Sequence, residues 1–137
     1  LSIGLWQSNI QALTAYGVKQ RSLQTISINT WYHVVVVKAT NSITNIYIDG
    51  IDQTLDTGGS WNGTPANPQS KIGEAIYSGT NYNFTGNIDE VAIFDYALTA
   101  RQIKQDIYEG TTAGGKTADL NNISNLTAPV AWYRMGD

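Results

Sequence analysis

The residues that could carry out catalysis are few in this chain. The only glutamates are Glu74, Glu90 and Glu109, and the only histidine, His33, lies beside a run of valines. Serine, histidine and aspartate do not form a convincing catalytic triad, and no glycine-rich phosphate loop is present. The sequence therefore predicts that the chain is not an enzyme and that His33 has a structural role.

Aromatic and amide side chains suited to binding sugars are concentrated in two polar stretches, 57–70 and 76–85, which we interpret as loops. Flat aromatic rings can stack on sugar rings, amides can hydrogen-bond hydroxyls, and loops on a rigid scaffold commonly carry binding residues. The predicted ligand-binding residues are Trp61, Asn62, Tyr77, Asn81, Tyr82 and Asn83. Alternatively, the aromatic rings plug the ends of the fold or contact a neighbouring subunit.

Three aspartates, Asp49, Asp52 and Asp56, alternate loosely along one stretch. Such a cluster could hold a cation, but spaced acids more often form a solvated strand face. Asp49 precedes Gly50, and Asp-Gly is the residue pair that tolerates positive φ in a tight hairpin turn. The hairpin is a sufficient explanation of this pair.

A β-rich scaffold must position these side chains, and its predicted centre is the stretch 31–50. A strand over 31–39 contains four consecutive valines, and a continuous apolar run favours a strand covered on both faces. Trp31 and Trp132 are predicted to lie in the core. Further strands are predicted near both ends of the chain and over 51–55, 71–75 and 86–94. This spacing of strands and turn signals favours a sandwich or a barrel.

One short helix is predicted near residue 100. Thr99 is a good N-cap, and Gln102 follows three residues later, as in a capping box. Ile103 and Ile107 are four residues apart and share a face, so they are expected to pack over a sheet edge. Gly110 is a suitable stop.

Composition excludes several classes of function for the 137 residues, for which a single domain is the first expectation. The formal net charge is −3 and the basic residues are scattered, so nucleic acid is not an expected partner. No apolar stretch approaches the roughly 20 residues that cross a bilayer, so no membrane insertion is expected. The chain contains no cysteine, which excludes disulfides and thiolate metal sites.

Four motifs in order carry a family resemblance. They are WYHVV from Trp31, IYIDG ending at Gly50, FTGNIDEVAIF from Phe84, and ALT ending at Thr99 followed by Ile103. This pattern resembles the laminin-G-like, concanavalin A-like lectin and glucanase family. The resemblance implies an all-β fold, a two-sheet antiparallel jelly-roll sandwich with one short helix. The Glu-x-Asp-x-x-Glu motif of the related laminarinase-type enzymes does not occur here.

The resemblance also implies a metal site at Asp89. In related glucanases and lectins the equivalent aspartate helps to hold a structural calcium, so calcium is the one expected cofactor. Calcium takes six to eight oxygen ligands, and the family's other ligands come from an N-terminal region that this sequence does not match. The alternative is that Asp89 hydrogen-bonds the backbone of a neighbouring loop.

The resemblance divides the chain into a laminin-G-like domain over 1–110 that lacks its first strands, a linker over 111–128, and a terminal strand over 129–137. That strand either completes the sandwich or starts a following domain. The ending resembles tandem laminin-G-like segments in the structural proteins of tailed bacteriophages.

The function expected from these observations is non-catalytic recognition or adhesion, with a glycan or cell-surface receptor as partner. The expected location is extracellular, on a phage virion or a cell surface. The alternatives are a structural decoration or assembly module that contacts neighbouring virion subunits, and a carbohydrate-binding module of a secreted bacterial protein.

Overall fold

The predicted all-β class with antiparallel sheets and one short helix is confirmed. A computed structural model of the chain describes residues 2–13, 19–39, 42–56, 71–77, 80–112 and 119–135. The strands are β1 Ser2–Trp6, β2 Asn9–Leu13, β3 Lys19–Thr25, β4 Val34–Ala39, β5 Ser42–Ile48, β6 Ile51–Asp52, β7 Leu55–Asp56, β8 Glu74–Tyr77, β9 Thr80–Asn83, β10 Val91–Ile93 and β11 Ala131–Tyr133. A π-helical segment, Gln102–Tyr108, continues into the short α-helix α1, Glu109–Thr112.

The strands form two larger sheets and two ribbons, and every pairing is antiparallel. The larger sheets have the orders β1-β2-β3-β7 and β4-β5-β6, and the ribbons are β8-β9 and β10-β11. The four-stranded sheet packs against the three-stranded sheet through a buried cluster of Ile10, Ala12, Ile43, Ile46 and Ile48. This cluster is the interior of a sandwich.

Strands β4 and β5 of the three-stranded sheet pack against a core on each face, as the valine run predicts. Side chains alternate along a strand, so Val34 and Val36 pack into the sandwich interior. Val35 and Val37 pack on the opposite face into a second core with Leu98, Ile103, Ile107 and Leu120. The π-helical segment therefore lies over the sheet that the valines build.

A bulge in β5 keeps its isoleucines on the sandwich side. The register shifts by one residue where Val37 pairs with Asn45 and Lys38 pairs with Ile43. Thr44 is the extra residue, and its hydroxyl donates to the Val37 carbonyl at 3.1 Å. The inserted residue reverses the alternation of side chains, so Ile43 faces the same core as Ile46 and Ile48.

The predicted third strand over 51–55 is two short strands in different sheets. Residues of β6 pair with β5, whereas Leu55 and Asp56 of β7 pair with β3. Between them, the Gln53 N–H donates to the Ile46 carbonyl and the Thr54 carbonyl accepts from the Leu23 N–H. The chain thus crosses from one sheet to the other within two residues, which joins the layers at a corner.

The start of the helix follows the predicted capping box, but its end does not follow the prediction. The Thr99 N–H donates to Gln102 Oε1 at 2.9 Å, and the Gln102 N–H donates to Thr99 Oγ1 at 3.3 Å. Ile103 and Ile107 are buried. Gly110 does not terminate the helix, because α1 runs through Thr112. The capping interactions depend on neighbouring residues, whereas tertiary packing can carry a helix past a glycine.

The segment after α1 packs against the same core. Leu120 is buried, and Ile123 and Leu126 lie against the helix-side cluster. The Gln102 side chain donates to the Asn125 carbonyl at 2.9 Å, and the Tyr96 hydroxyl donates to the Thr127 carbonyl at 2.9 Å. Strand β11 then pairs with β10. The division of the chain into domain, linker and terminal strand stays a prediction.

Trp31 is not a core residue, and that prediction was wrong. Its side chain is 64% exposed. The reason is that strand pairing begins only at Val34, so Trp31 belongs to the connection before the sheet, where Tyr32 packs against the core instead. Trp132 does pack against the helix-side core, as a partly buried residue. Among the described residues, no helix is both long and apolar enough to cross a membrane.

Candidate functional site

The predicted binding residues Tyr77, Asn81, Tyr82 and Asn83 lie on two paired strands and not in a loop. Strand β8 pairs with β9 in the register Glu74–Asn83, Ala75–Tyr82, Ile76–Asn81 and Tyr77–Thr80. Asparagine-rich sequence disfavours strands on local propensity, but cross-strand pairing overrides propensity. The side chain of Tyr77 lies outside the described part of the structure, as do Trp61 and Asn62 entirely.

The hairpin separates the predicted residues onto two faces. Because side chains alternate along a strand, Tyr82 projects from one face and Asn81 and Asn83 from the other. All three are exposed, and Tyr82 retains 55% of its surface. A single ligand lying flat on one face therefore meets either the ring of Tyr82 or the two amides.

The base of the hairpin is tied together by short polar contacts. The Lys71 ammonium lies 2.7 Å from the Glu74 carboxylate. The Phe84 N–H donates to the Gly73 carbonyl at 2.8 Å, which extends the pairing by one step. These contacts hold the strands in register, so Tyr82 is presented on a defined element.

Asp89 and Glu90 connect strand β10 to the end of the chain. Asp89 Oδ1 accepts the N–H of Glu90 at 2.8 Å and the N–H of Met135 at 3.2 Å. Glu90 Oε2 accepts the indole N–H of Trp132 at 2.6 Å, and Arg134 lies over the Trp132 ring at 5.0 Å. Glu90 has a positive φ of 52°. The Ile-Asp-Glu-Val motif thus anchors strand β11.

The contacts of Asp89 match the alternative to a calcium site. One of its oxygens already accepts two backbone N–H groups, which satisfies it without a metal. In the described parts of the chain, no group of three or more histidine, cysteine, aspartate or glutamate side chains is placed to hold a metal ion. Calcium at Asp89 stays a prediction.

Asp49, Asp52 and Asp56 each have a separate partner. Asp49 Oδ1 accepts the backbone N–H of His33 at 2.9 Å, and Asp52 Oδ2 accepts from the side-chain amide of Asn45 at 2.9 Å. Asp56 lies 2.8 Å from the guanidinium of Arg21. These three carboxylates therefore serve a turn, a strand pair and an ion pair, and they do not converge on a cation.

The Asp49-Gly50 turn contacts the helix through His33 and Tyr108. The φ angles of 51° at Asp49 and 73° at Gly50 are those of the predicted hairpin turn. The His33 and Tyr108 rings stack at 5.6 Å between centroids. Burial lowers the pKa of His33 below its ordinary value, and the nearby Asp49 carboxylate opposes that shift. His33 is therefore a packing residue of the turn, as the sequence predicts.

The lowered pKa of His33 predicts that stability falls on acidification. Because the unfolded chain binds the proton more readily than the folded chain, stability is complete above about pH 6.5 and declines as pH falls from there toward the folded pKa. Thermal melts between about pH 8 and pH 5 should show a falling Tm. His33→Phe keeps a ring for the Tyr108 stack and removes this titration. A slope that is equally steep in His33→Phe would contradict the assignment.

Comparison with protein families gives a match. A protein-family profile described as the concanavalin A-like lectin/glucanases superfamily matches residues 2–104, which include both larger sheets, the β8-β9 hairpin and the start of the helix. No curated protein and no solved structure matches the chain.

Proposed function

Since the chain belongs to the concanavalin A-like lectin/glucanases superfamily, we propose that it is a non-catalytic module that recognises glycans. Membership of this superfamily suggests a carbohydrate-related binding module, and the match over residues 2–104 is the observation that carries the proposal. The β8-β9 hairpin supplies a surface, with the half-exposed ring of Tyr82 on one face and two exposed amides on the other.

The contacts of the carboxylates support a binding role without catalysis. Retaining glycosidases need two carboxyl groups about 5 Å apart that face the substrate. In this structure Glu74 is paired with Lys71, and Glu90 is bonded to the Trp132 indole and lies 3.5 Å from Arg134. Both glutamates hold elements of the fold together. Exposure of the module on a virion or a cell surface is part of the proposal and rests on the sequence resemblance to phage structural proteins.

A structural assembly module is the second candidate, and strand β1 favours it. β1 is the outer strand of its sheet and pairs only with β2 among the described strands. It carries no charged residue, and its core-facing side chains Ile3 and Leu5 are about half exposed. An apolar edge without charge or proline is open to pairing with another strand.

Removing the Tyr82 ring is expected to weaken glycan retention. Loss of a stacking aromatic at a binding site costs about 1–2 kcal/mol, which is roughly a 5–30-fold loss of affinity. Wild type and Tyr82→Ala are compared on a glycan array and then by titration with the best-retained glycan. Trp61→Ala, in the second predicted binding stretch, is tested in parallel.

Tyr133→Ala is the matched control, because Tyr133 is 49% exposed and lies on strand β11, outside the hairpin. It should bind as the wild type does. A folded wild-type chain that retains no glycan and forms oligomers by light scattering would replace the glycan proposal with the assembly candidate.

A further inference from the structure

Four residues form a row across the outer face of the four-stranded sheet. The strand registers place Gly4 opposite Gln11, Gln11 opposite Arg21, and Arg21 opposite Asp56. Directly opposed residues on antiparallel strands share a face. The neighbours of Gln11 in sequence, Ile10 and Ala12, are buried in the sandwich interior, so the row faces away from the core.

The row begins in an open space and ends in an ion pair. A Cβ built on Gly4 would have no atom within 4 Å, and we call this open space beside Gln11 the trough. At the other end, an Arg21 terminal nitrogen donates to Asp56 Oδ2 at 2.8 Å, which holds the guanidinium in place. The pair carries no net charge.

Two polar atoms within this row lack partners. Gln11 Oε1 and Arg21 Nε are both shielded from solvent, and neither has a hydrogen-bond partner among the residues that the structure describes. Leaving such a group unsatisfied is unfavourable, and native structures rarely do so without a reason. One atom is an acceptor and the other a donor, on adjacent strands. A hydroxyl group, which accepts one hydrogen bond and donates another, can satisfy both.

From this geometry we infer that the row Gly4–Gln11–Arg21–Asp56 is a subsite for a neutral saccharide with adjacent hydroxyl groups. In this arrangement the Gln11 amide turns about its soft terminal torsion and uncovers both atoms. One hydroxyl then accepts from Arg21 Nε–H and donates to Gln11 Oε1. The adjacent hydroxyl donates to the Asp56 carboxylate, and the ring occupies the trough over Gly4. This inference rests on the proposed function for its class of ligand, and it names a surface other than the β8-β9 hairpin.

Gly4→Val tests the subsite, because valine fills the trough and suits a strand. Binding of the best-retained array glycan, or of methyl α-glucoside, methyl α-mannoside or methyl β-galactoside, is expected to weaken at least about tenfold, which is about 1.4 kcal/mol. Gln11→Met, which keeps the shape of the side chain and removes its amide, should weaken binding by a smaller factor. Ile3→Val, on the opposite face of the same strand, is the control and should bind as the wild type does.

Nuclear magnetic resonance of the wild-type chain gives a second readout that does not depend on a variant folding. The Gln11 side-chain amide and the Arg21 Nε–H signals should move on titration with the bound sugar. If glycan binding survives Gly4→Val and these signals stay still while Tyr82→Ala abolishes binding, the subsite is wrong and the proposed function stands. If the wild type binds no array glycan and none of the three methyl glycosides shifts these signals, both are wrong.

Discussion

Ile46→Ala is expected to destabilise the protein by about 2–5 kcal/mol. Ile46 is fully buried in the central strand β5 and packs in the sandwich interior with Ile10, Ala12 and Ile48. Truncation removes buried apolar surface and leaves a cavity between two sheets, which can close only by moving whole strands. Denaturant unfolding followed by circular dichroism measures the change.

Ile51→Ala is the matched control for this prediction. Ile51 lies in β6 of the same sheet and pairs with Ile48, but 61% of its surface is exposed. Its truncation should cost less than about 1 kcal/mol, because little surface is buried and no cavity forms. Equal losses for the two variants would mean that the two sheets do not pack through the β5 isoleucines.

Gly50→Ala is expected to cost about 2–4 kcal/mol, from two sources that add. Gly50 has a φ of 73°, a conformation that costs an L-residue with a side chain about 1–2 kcal/mol. A Cβ at this position would also lie 2.9 Å from Tyr108 Cδ1 and 3.4 Å from Lys104 Cα. A side chain at Gly50 would therefore force the Tyr108 ring to shift. Unfolding free energies of the wild type and the variant measure the loss.

Gly110→Ala makes the same chemical change, but it is expected to raise the free energy of unfolding. Gly110 lies in α1, where a Cβ would meet only the Gln105 carbonyl at an ordinary 3.7 Å. Alanine in a helix is more stable than glycine by about 0.5–1 kcal/mol. If Gly110→Ala stabilises the protein and Gly50→Ala destabilises it, the loss of stability comes from the turn and not from the glycine-to-alanine change itself. An unchanged unfolding free energy in Gly50→Ala would refute the close contact between turn and helix.

The π-helical segment has different contacts on its two sides. Ile103 and Ile107 face the second core with Val37 and Tyr47. Gly50 and His33, which belong to the Asp-Gly turn and the chain before β4, contact Lys104 and Tyr108. The helix therefore packs against both the face and one end of the three-stranded sheet. For this reason a single added methyl group at Gly50 is expected to lower the unfolding free energy of the whole fold.

Several features could be predicted from the sequence because they depend on neighbouring residues. The four valines specify a strand covered on both faces, and the structure places alternate valines in two different cores. The Asp49-Gly50 pair specifies a tight turn because few other residues accept positive φ twice in succession. Thr99 and Gln102 specify a helix start because their side chains reach each other's backbone or hydroxyl groups.

The sequence did not predict features that depend on residues far apart in the chain. The sequence 76–85 has the composition of a loop, yet Glu74–Tyr77 and Thr80–Asn83 pair as strands. Trp31 is a large aromatic residue of the kind that usually lies in a core. Its side chain is nevertheless mostly exposed, because strand pairing starts three residues later at Val34. Of the predicted binding residues, Tyr82 is placed on one face of the hairpin and Asn81 and Asn83 on the other, and the remaining three stay predictions without a described side-chain position.

What the sequence by itself determined is the class of fold, the position of its central sheet and the family to which the chain belongs. Periodicity, turn chemistry and capping are local properties, and they can be read one segment at a time. Only the tertiary structure decided that Gly4, Gln11, Arg21 and Asp56 lie side by side, because a shift of one residue in any strand would send its side chain to the other face. Register is set by the whole sheet and its core, so a site built across strands has no signal in any single stretch of sequence.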